Sequence, residues 1–453
     1  MRNPLKIPKH TDPELKELES SLYPSILVEQ TSSALLGIVN TIVMGMVSTA
    51  ALAGVGQINS LNTVIFQFLN AISQGGTVMV AQGMGAKDEA KIKRSFEQAF
   101  MSIILLSLTV LAVLAVFKDA ILLALFGAVE ADVMKSSNDY FMVAMFATPL
   151  WAVYYQMAGA MRSTGDTKTP MKATIVMNVT NIICSLFFSV VMKMGSMGAG
   201  IALVTAVAAG NVVCILKLLR KDYHLSLPNL RTYKPDFAQL KLIYSVGIPI
   251  SIESLMFQGG KLIVQVFVSG MGTIMISAYQ VGNSLMSLIQ IPHISYNTLI
   301  VTLVGRRAGA GGKQRVYDTL DFFLRKSIAL AYYVSIVCFF FTYPLAWIFT
   351  REPEVIRISI GLMAIHGVFM PFWPIAFNSP QGFMGARETR YSLVVGTASM
   401  WIFRVFGSWF FGVFLGMQAY GIFLSMCLDW VIRAYFYRNW FRSGNWLKNV
   451  KEA

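Results

Sequence analysis

The chain has 453 residues, 55% of them hydrophobic and only 13% charged, with a formal net charge of +14. Soluble globular domains carry about 25% charged residues, so this composition excludes a water-soluble fold and describes a membrane protein. The four cysteines, Cys184, Cys214, Cys338 and Cys427, stand singly in apolar runs without CxxC spacing, which argues for packing roles and against a disulfide or metal site.

The N-terminal MRNPLKIPKHTDPELKELES is polar and lacks an apolar signal core, so no cleaved leader is expected. Beyond it, runs long enough to cross a ~30 Å hydrocarbon core as helix recur to the end of the chain. They cover 22–47, 52–80, 96–117, 139–161, 170–192, 197–216, 242–268, 273–304, 326–349, 358–384, 392–415 and 418–440. Barrel strands would be about 10 residues of alternating polarity. These continuous runs predict an all-α membrane protein with twelve transmembrane helices.

With these spans, most of the 37 Lys and Arg residues fall on alternate loops: the N-terminus, 87–94, 162–172, 217–241, 306–326, 387–390 and the C-terminal end. Lys118, Lys135, Lys193, Arg351 and Arg357 lie on the other side, and Lys261 and Arg404 inside spans. The positive-inside rule then places both termini in the cytoplasm, with the body in the cell membrane. The basic excess is topology, and no nucleic-acid partner is expected.

The chain repeats itself. A shift of 224 lays STAALAGVGQINSL (48–61) on GTIMISAYQVGNSL (272–285) and VAQGMGA (80–86) on VGRRAGA (304–310). A shift of 222 lays 149–168 on 371–390, matching Pro149 with Pro371, Trp151 with Trp373 and Thr167 with Thr389. A shift of 221 matches Gly195 and Gly200 with Gly416 and Gly421. The expected organisation is a segment 1–19, a first lobe 20–217, a polar linker 218–236, a second lobe 237–442 and a tail 443–453. Six spans per lobe makes the repeats parallel, about a pseudo-twofold axis along the membrane normal. Such repeats characterise secondary transporters with a site at the lobe interface.

The 224 shift also lays Glu29 on Glu253, each shortly after a proline, Pro24 or Pro249. An embedded charge costs about 2.5–3.5 kcal/mol on insertion scales, which makes it a functional candidate. Asp429 has Arg433 at i+4 as a ready partner. Glu253 shares its lobe with Lys261 and Arg404, either of which could neutralise it. The first lobe shows no embedded base, so Glu29 reads as a proton or cation carrier, with Na⁺ near it one option, or as a carboxyl capping backbone near Pro24. His293 and His366 read as packing residues or proton relays. No nucleophile constellation, phosphate loop or ligand cluster appears, so neither enzyme activity nor a cofactor is expected.

PSILVEQ followed by GIVNTIVMG, VAQGMGAKDEAK, GAMRSTGDTKTPM, GIPISIESLMFQGGKLIVQ and VTLVGRRAGAG together resemble the MATE family, the multidrug and toxic compound extrusion transporters. The resemblance implies twelve helices in two lobes and cation-coupled efflux of amphipathic, often cationic, organic compounds. Many members carry an aspartate where this chain has Asn40. Asn178 and Asn181 could line a polar first-lobe cavity with it, or bond between helices. Phe257 and Gln258 stand near another family acid position, and Trp151, Tyr155, Trp373 and Phe377 suit a wall accepting many shapes. In GDTKTP, Gly165 and Asp166 turn the chain, while Arg162, Lys168 and Lys172 hold the loop at the headgroups, or Arg162 or Asp166 joins an inside gate.

The expected function is export of small organic compounds by a monomeric antiporter driven by H⁺ or Na⁺. The alternative is a lipid-linked saccharide flippase, which would need several bases inside the first lobe.

Overall fold

A computed structural model describes residues 12–452 apart from 128, 221–222 and 229–232, and of 38, 125, 126 and 338 only the backbone. The expectations for 1–11, for part of the linker and for the Cys338 side chain lie outside the described residues. Every regular element among the described residues is helical. Contacts divide the chain into two compact units, Pro24–Ser251 and residues 1–23 with 252–453.

The first unit contains most of α1 (Pro13–Val47), then α2 (Thr49–Gly85), α3 (Glu89–Val116), α4 (Lys118–Phe126), α5 (Ala131–Ala144), α6 (Ala147–Ser163), α7 (Lys168–Ser185) and α8 (Gly195–Leu218). It also takes the first half of α9 (Phe237–Ser269). The second unit has the rest of α9, α10 (Thr273–Ala310), α11 (Lys313–Phe349), α12 (Pro353–Phe369), α13 (Trp373–Gly385), α14 (Arg390–Ser399) and α15 (Gln418–Ser443). Ten described helices are long and apolar enough to cross a membrane, and α11, bent by 63° around residue 338, makes an eleventh. That bend lies just ahead of Pro344, whose missing N–H weakens the helix there. The run predicted at 139–161 is α5 and α6 together.

Two breaks share one cause. α5 gives way to α6 at Met145–Phe146, ahead of Pro149, and α12 gives way to α13 through a tight turn at Met370–Phe372 that contains Pro371. A proline cannot accept the preceding turn of helix. Each repeated proline therefore breaks its span at the same place.

The backbone carries the repeat further. Positive φ recurs at Lys87 (53°) and Gly311 (88°), Gly165 (90°) and Arg387 (60°), Lys193 (56°) and Gly416 (69°), and Gly195 (57°) and Gln418 (51°). Near the last two pairs the offset is 223, which corrects the 221 register. Gly198, not Gly200, is the counterpart of Gly421. A Cβ on Gly198 would lie 2.7 Å from Phe188 C, and one on Gly421 2.5 Å from Phe411 C. Each glycine lets a helix start lie on the π-helical end of the preceding span, Leu186–Val191 or Ser408–Phe414. Matching by residue letter slipped because the left-handed position is lysine in one repeat and glycine in the other.

Membrane helices pack through small residues because lipid offers no hydrophobic contrast between helices. In the first unit a Cβ on Gly159 would meet Thr77 Oγ1 at 2.1 Å, and one on Gly76 the Ala99 Cβ at 2.4 Å. Gly75 meets main chain instead of a side chain, since its Cβ would lie 2.2 Å from the Ile243 carbonyl oxygen, and a Cβ on Gly247 would lie 2.9 Å from Ile72 O. These two glycines let α2 and the first half of α9 touch backbone to backbone. Gly75→Ala must push the helices apart and is expected to cost about 1–3 kcal/mol as an overpacking change, read as a lowered unfolding midpoint in detergent. A midpoint equal to wild type would show that this contact yields freely.

The linker is anchored to the first unit. Gln98 donates to Lys234 O (2.8 Å) and accepts from Tyr233 Oη and Asp236 N (both 3.0 Å), and Arg94 pairs with Asp236. In the second unit a buried cluster including Leu285, Leu362, Met370, Trp373, Phe423 and Trp430 forms the core. The tail returns to it: Trp446 is buried against Phe383 and Phe441, and Lys448 pairs with Glu388.

Candidate functional site

Glu29 and Glu253 meet different surroundings. In the first unit, Arg162 Nη1 donates to Glu29 Oε1 at 2.8 Å, and Tyr154 Oη lies 3.5 Å from the same oxygen. Tyr154 Oη is also 2.7 Å from Thr174 Oγ1 and 3.4 Å from Pro170 O. Glu29 is buried, and its Oε2 has no hydrogen-bond partner among the described residues. This corrects two expectations: Glu29 does have a basic partner in its lobe, and Arg162 turns inward to it instead of holding a loop at the headgroups. Arg162 closes α6, where the following Gly165–Asp166 turn lets it face α1. The turn itself is as expected, with Asp166 accepting from Thr169 N (2.9 Å) and Oγ1 (2.7 Å) at the start of α7.

The amides are divided. Asn178 Nδ2 donates to Ser32 O (2.8 Å) and lies 2.6 Å from Ser32 Oγ, tying α7 to α1. Asn181 stands one turn on and is buried; its Oδ1 and that of Asn40 have no partner among the described residues. No hydrogen bond among those residues joins Asn40 to Asn178 or Asn181. Trp151 lies in an aromatic group with Tyr155 (5.2 Å, stacked), Phe66 (5.6 Å) and Tyr154 (5.7 Å).

In the second unit the centre is Arg433. Its Nε donates to Asp429 Oδ1 at 2.8 Å, one turn away on α15, and its Nη2 to Gly396 O at 2.8 Å. Ser399 Oγ donates to the same Asp429 oxygen at 2.5 Å. Arg433 Nη1 lies 4.0 Å from Glu253 Oε1. The base nearest Glu253 is therefore Arg433 and neither Lys261 nor Arg404, a correction to the sequence reading. A Cβ on Gly396 would lie 2.3 Å from Glu253 Oε1, so this glycine makes room for the carboxylate.

Lys261 and Arg404 instead surround Phe257, with Nζ 5.9 Å and Cζ 5.3 Å from the ring centroid, and Arg433 Cζ lies 5.5 Å from it. Gln258 is half-buried beside Phe257 in the chain. Trp373 stacks on Phe377 (4.8 Å) and packs against His293 (5.5 Å), whose Nδ1 is 3.0 Å from Ser327 Oγ. His366 packs edge-on against Trp430 at 5.3 Å. Among the described residues no three His, Cys, Asp or Glu side chains come together as a metal site. A Na⁺ at Glu29 would lie beside the Arg162 guanidinium.

The family profile described as MatE matches residues 24–187 and 249–410, one block in each repeat. The chain belongs to the MatE family. It is 26% identical over 98% of its length to a probable multidrug resistance protein NorM of Thermotoga maritima, covering 96% of that protein. It is likewise 26% identical to the uncharacterized transporter YisQ of Bacillus subtilis, over 94% of each chain. Among solved structures it resembles the outward-facing conformation of a multidrug resistance MATE family transporter, with a TM-score of 0.86, 17% identity and 95% of each chain covered. That last likeness is one of fold. This MatE protein is thus a multi-pass membrane protein whose repeat is the unit the family profile recognises twice.

Sequence reasoning gave Tyr154 no role, set Arg162 at the headgroups or a gate, and placed Phe257 beside a family acid position without a role of its own. Arg162 was visible at the end of an apolar run but was assigned to a loop. Phe257 and Lys261 are one turn apart on α9, a spacing that places them on one face, yet an aromatic residue in a membrane span carries no signal by itself.

Proposed function

We propose that this MatE protein is a secondary active antiporter that exports small amphipathic organic compounds, cations among them. It is driven by a proton or sodium gradient and lies in the plasma membrane with both termini cytoplasmic. Support comes from the family, from relatives named as multidrug resistance proteins, from parallel repeats of the kind used for alternating access, and from the sorting of basic residues onto alternate loops.

The observation that carries the coupling assignment is the contrast between the two glutamates. Glu29 is held by a guanidinium at 2.8 Å. Glu253 has its nearest base at 4.0 Å, and that base already bonds Asp429 and a backbone carbonyl. Glu253 can exchange a proton or a cation without breaking a hydrogen-bonded ion pair, so the coupling role goes to Glu253. Among the described residues of the first lobe Arg162 is taken up by Glu29, which argues against the lipid-linked saccharide reading, since that reading requires several free bases there.

The test uses proteoliposomes with proton and sodium gradients imposed separately. Glu253→Gln is expected to lower gradient-driven uptake of an organic cation at least about tenfold, because an amide neither titrates nor carries charge. Its unfolding midpoint and substrate affinity should stay near wild type. Normal coupling in Glu253→Gln, or a stable but uncoupled Glu29→Gln, would return the role to Glu29.

A further inference from the structure

The second unit holds three cationic side chains around one phenyl ring, Lys261, Arg404 and Arg433 about Phe257. Two carboxylates, Glu253 and Asp429, belong to the same cluster, and both are directed at Arg433. The cluster therefore carries one more positive than negative charge. Neither Lys261 nor Arg404 makes an ion pair among the described residues; their close contact is with the ring, and the two cations repel each other.

A ring cannot neutralise them. A cation–π contact is worth about 0.5–2 kcal/mol, whereas a single charge at membrane depth costs about 2.5–3.5 kcal/mol. Asp429 attracts Arg404 from beyond ion-pair distance, but two bases that repel each other, with no carboxylate in ion-pair contact with either among the described residues, are arranged for a further negative charge. Arg404 is 6% exposed, while Lys261 is exposed on the surface of its unit. A ligand can thus approach past the lysine and end at the guanidinium.

We propose that Lys261 and Arg404 bind the anionic group of an organic compound, with Phe257 taking its apolar body. A guanidinium offers paired N–H donors that match a carboxylate or sulfonate in a fork geometry, and the ammonium adds up to three more. An aromatic carboxylate uses all three side chains. A halide uses only the charge. The inference concerns binding alone and holds whichever ion drives transport.

The test is equilibrium binding of radiolabelled benzoate to the full-length protein in detergent, with no gradient present. Failure of the coupling assignment therefore cannot be mistaken for failure of this one. Saturable binding is expected in the wild type. Lys261→Gln and Arg404→Gln should each weaken it at least about tenfold, since hydrogen bonds to charged groups are among the strong ones. Arg404→Lys should recover part of the loss, and tetraphenylphosphonium binding should stay within about twofold throughout. If Arg404→Gln fails to fold, Lys261→Gln decides the matter, because the lysine has no acid partner to lose. No saturable benzoate binding in folded wild type, or unchanged affinity in Lys261→Gln, overturns the proposal. So does displacement by chloride at equal concentration, which would mean the site reads charge only.

Discussion

Arg433→Gln is expected to be among the most destabilising single changes in the second unit, at about 3–5 kcal/mol. The guanidinium is the direct counter-charge of Asp429, whose side chain is 0% exposed, and it also bonds the Gly396 carbonyl. Without it, the buried Asp429 and the half-buried Glu253 are left as two acids facing each other's field. That loss is a large share of a total stability of about 5–15 kcal/mol. It should appear as a sharply lowered unfolding midpoint and low yield in the membrane fraction. Asp429→Asn combined with Arg433→Gln should recover much of the loss, because removing both charges of a buried pair is far cheaper than removing one. An Arg433→Gln protein that melts with the wild type would mean that water reaches the pair and screens it.

Arg162→Gln is the matching result for the first unit, again at about 3–5 kcal/mol. Among the described residues it leaves the buried Glu29 carboxyl with Tyr154, at 3.5 Å, as its hydrogen-bond partner. Glu29→Gln should also destabilise, since Arg162, 12% exposed, then lacks its acid. A double-mutant cycle of the two should give a coupling energy of about 1.5 kcal/mol or more, as for close charge pairs elsewhere. Coupling near zero would show that Glu29 and Arg162 act independently, and the transport role considered for Glu29 from the sequence would reopen. The cycle reads stability, so it is separate from the gradient experiment on Glu253.

The two glutamates show where sequence reading stops. Their alignment by a shift of 224 was legible, because a repeat is a pattern within the chain. Their partners were not. Arg162 reaches Glu29 across 133 residues from α6, whereas Arg433 reaches Glu253 from α15. The repeat therefore conserves the acids and draws the bases from different helices. Counting embedded bases lobe by lobe assigned Arg162 to a loop and so left Glu29 alone. By contrast the Asp429–Arg433 pair was legible, since both residues lie one turn apart on a single helix and their proximity is fixed by 3.6 residues per turn.

The sequence by itself determined the solvent, the helices and the repeat. Each of these is a sum over about twenty neighbouring residues or a match over many, so no single contact can overturn it. Even there, the offset slipped by two at Gly198 and Gly421, where close approach to a π-helical backbone demands glycine while the adjacent left-handed turn accepts lysine or glutamine. Only the tertiary structure decided which base neutralises which acid, and which cations are left around Phe257. Electrostatic pairing depends on separations of a few ångströms between helices far apart in the chain, and the packing of small residues that sets those separations leaves no periodic trace in the sequence.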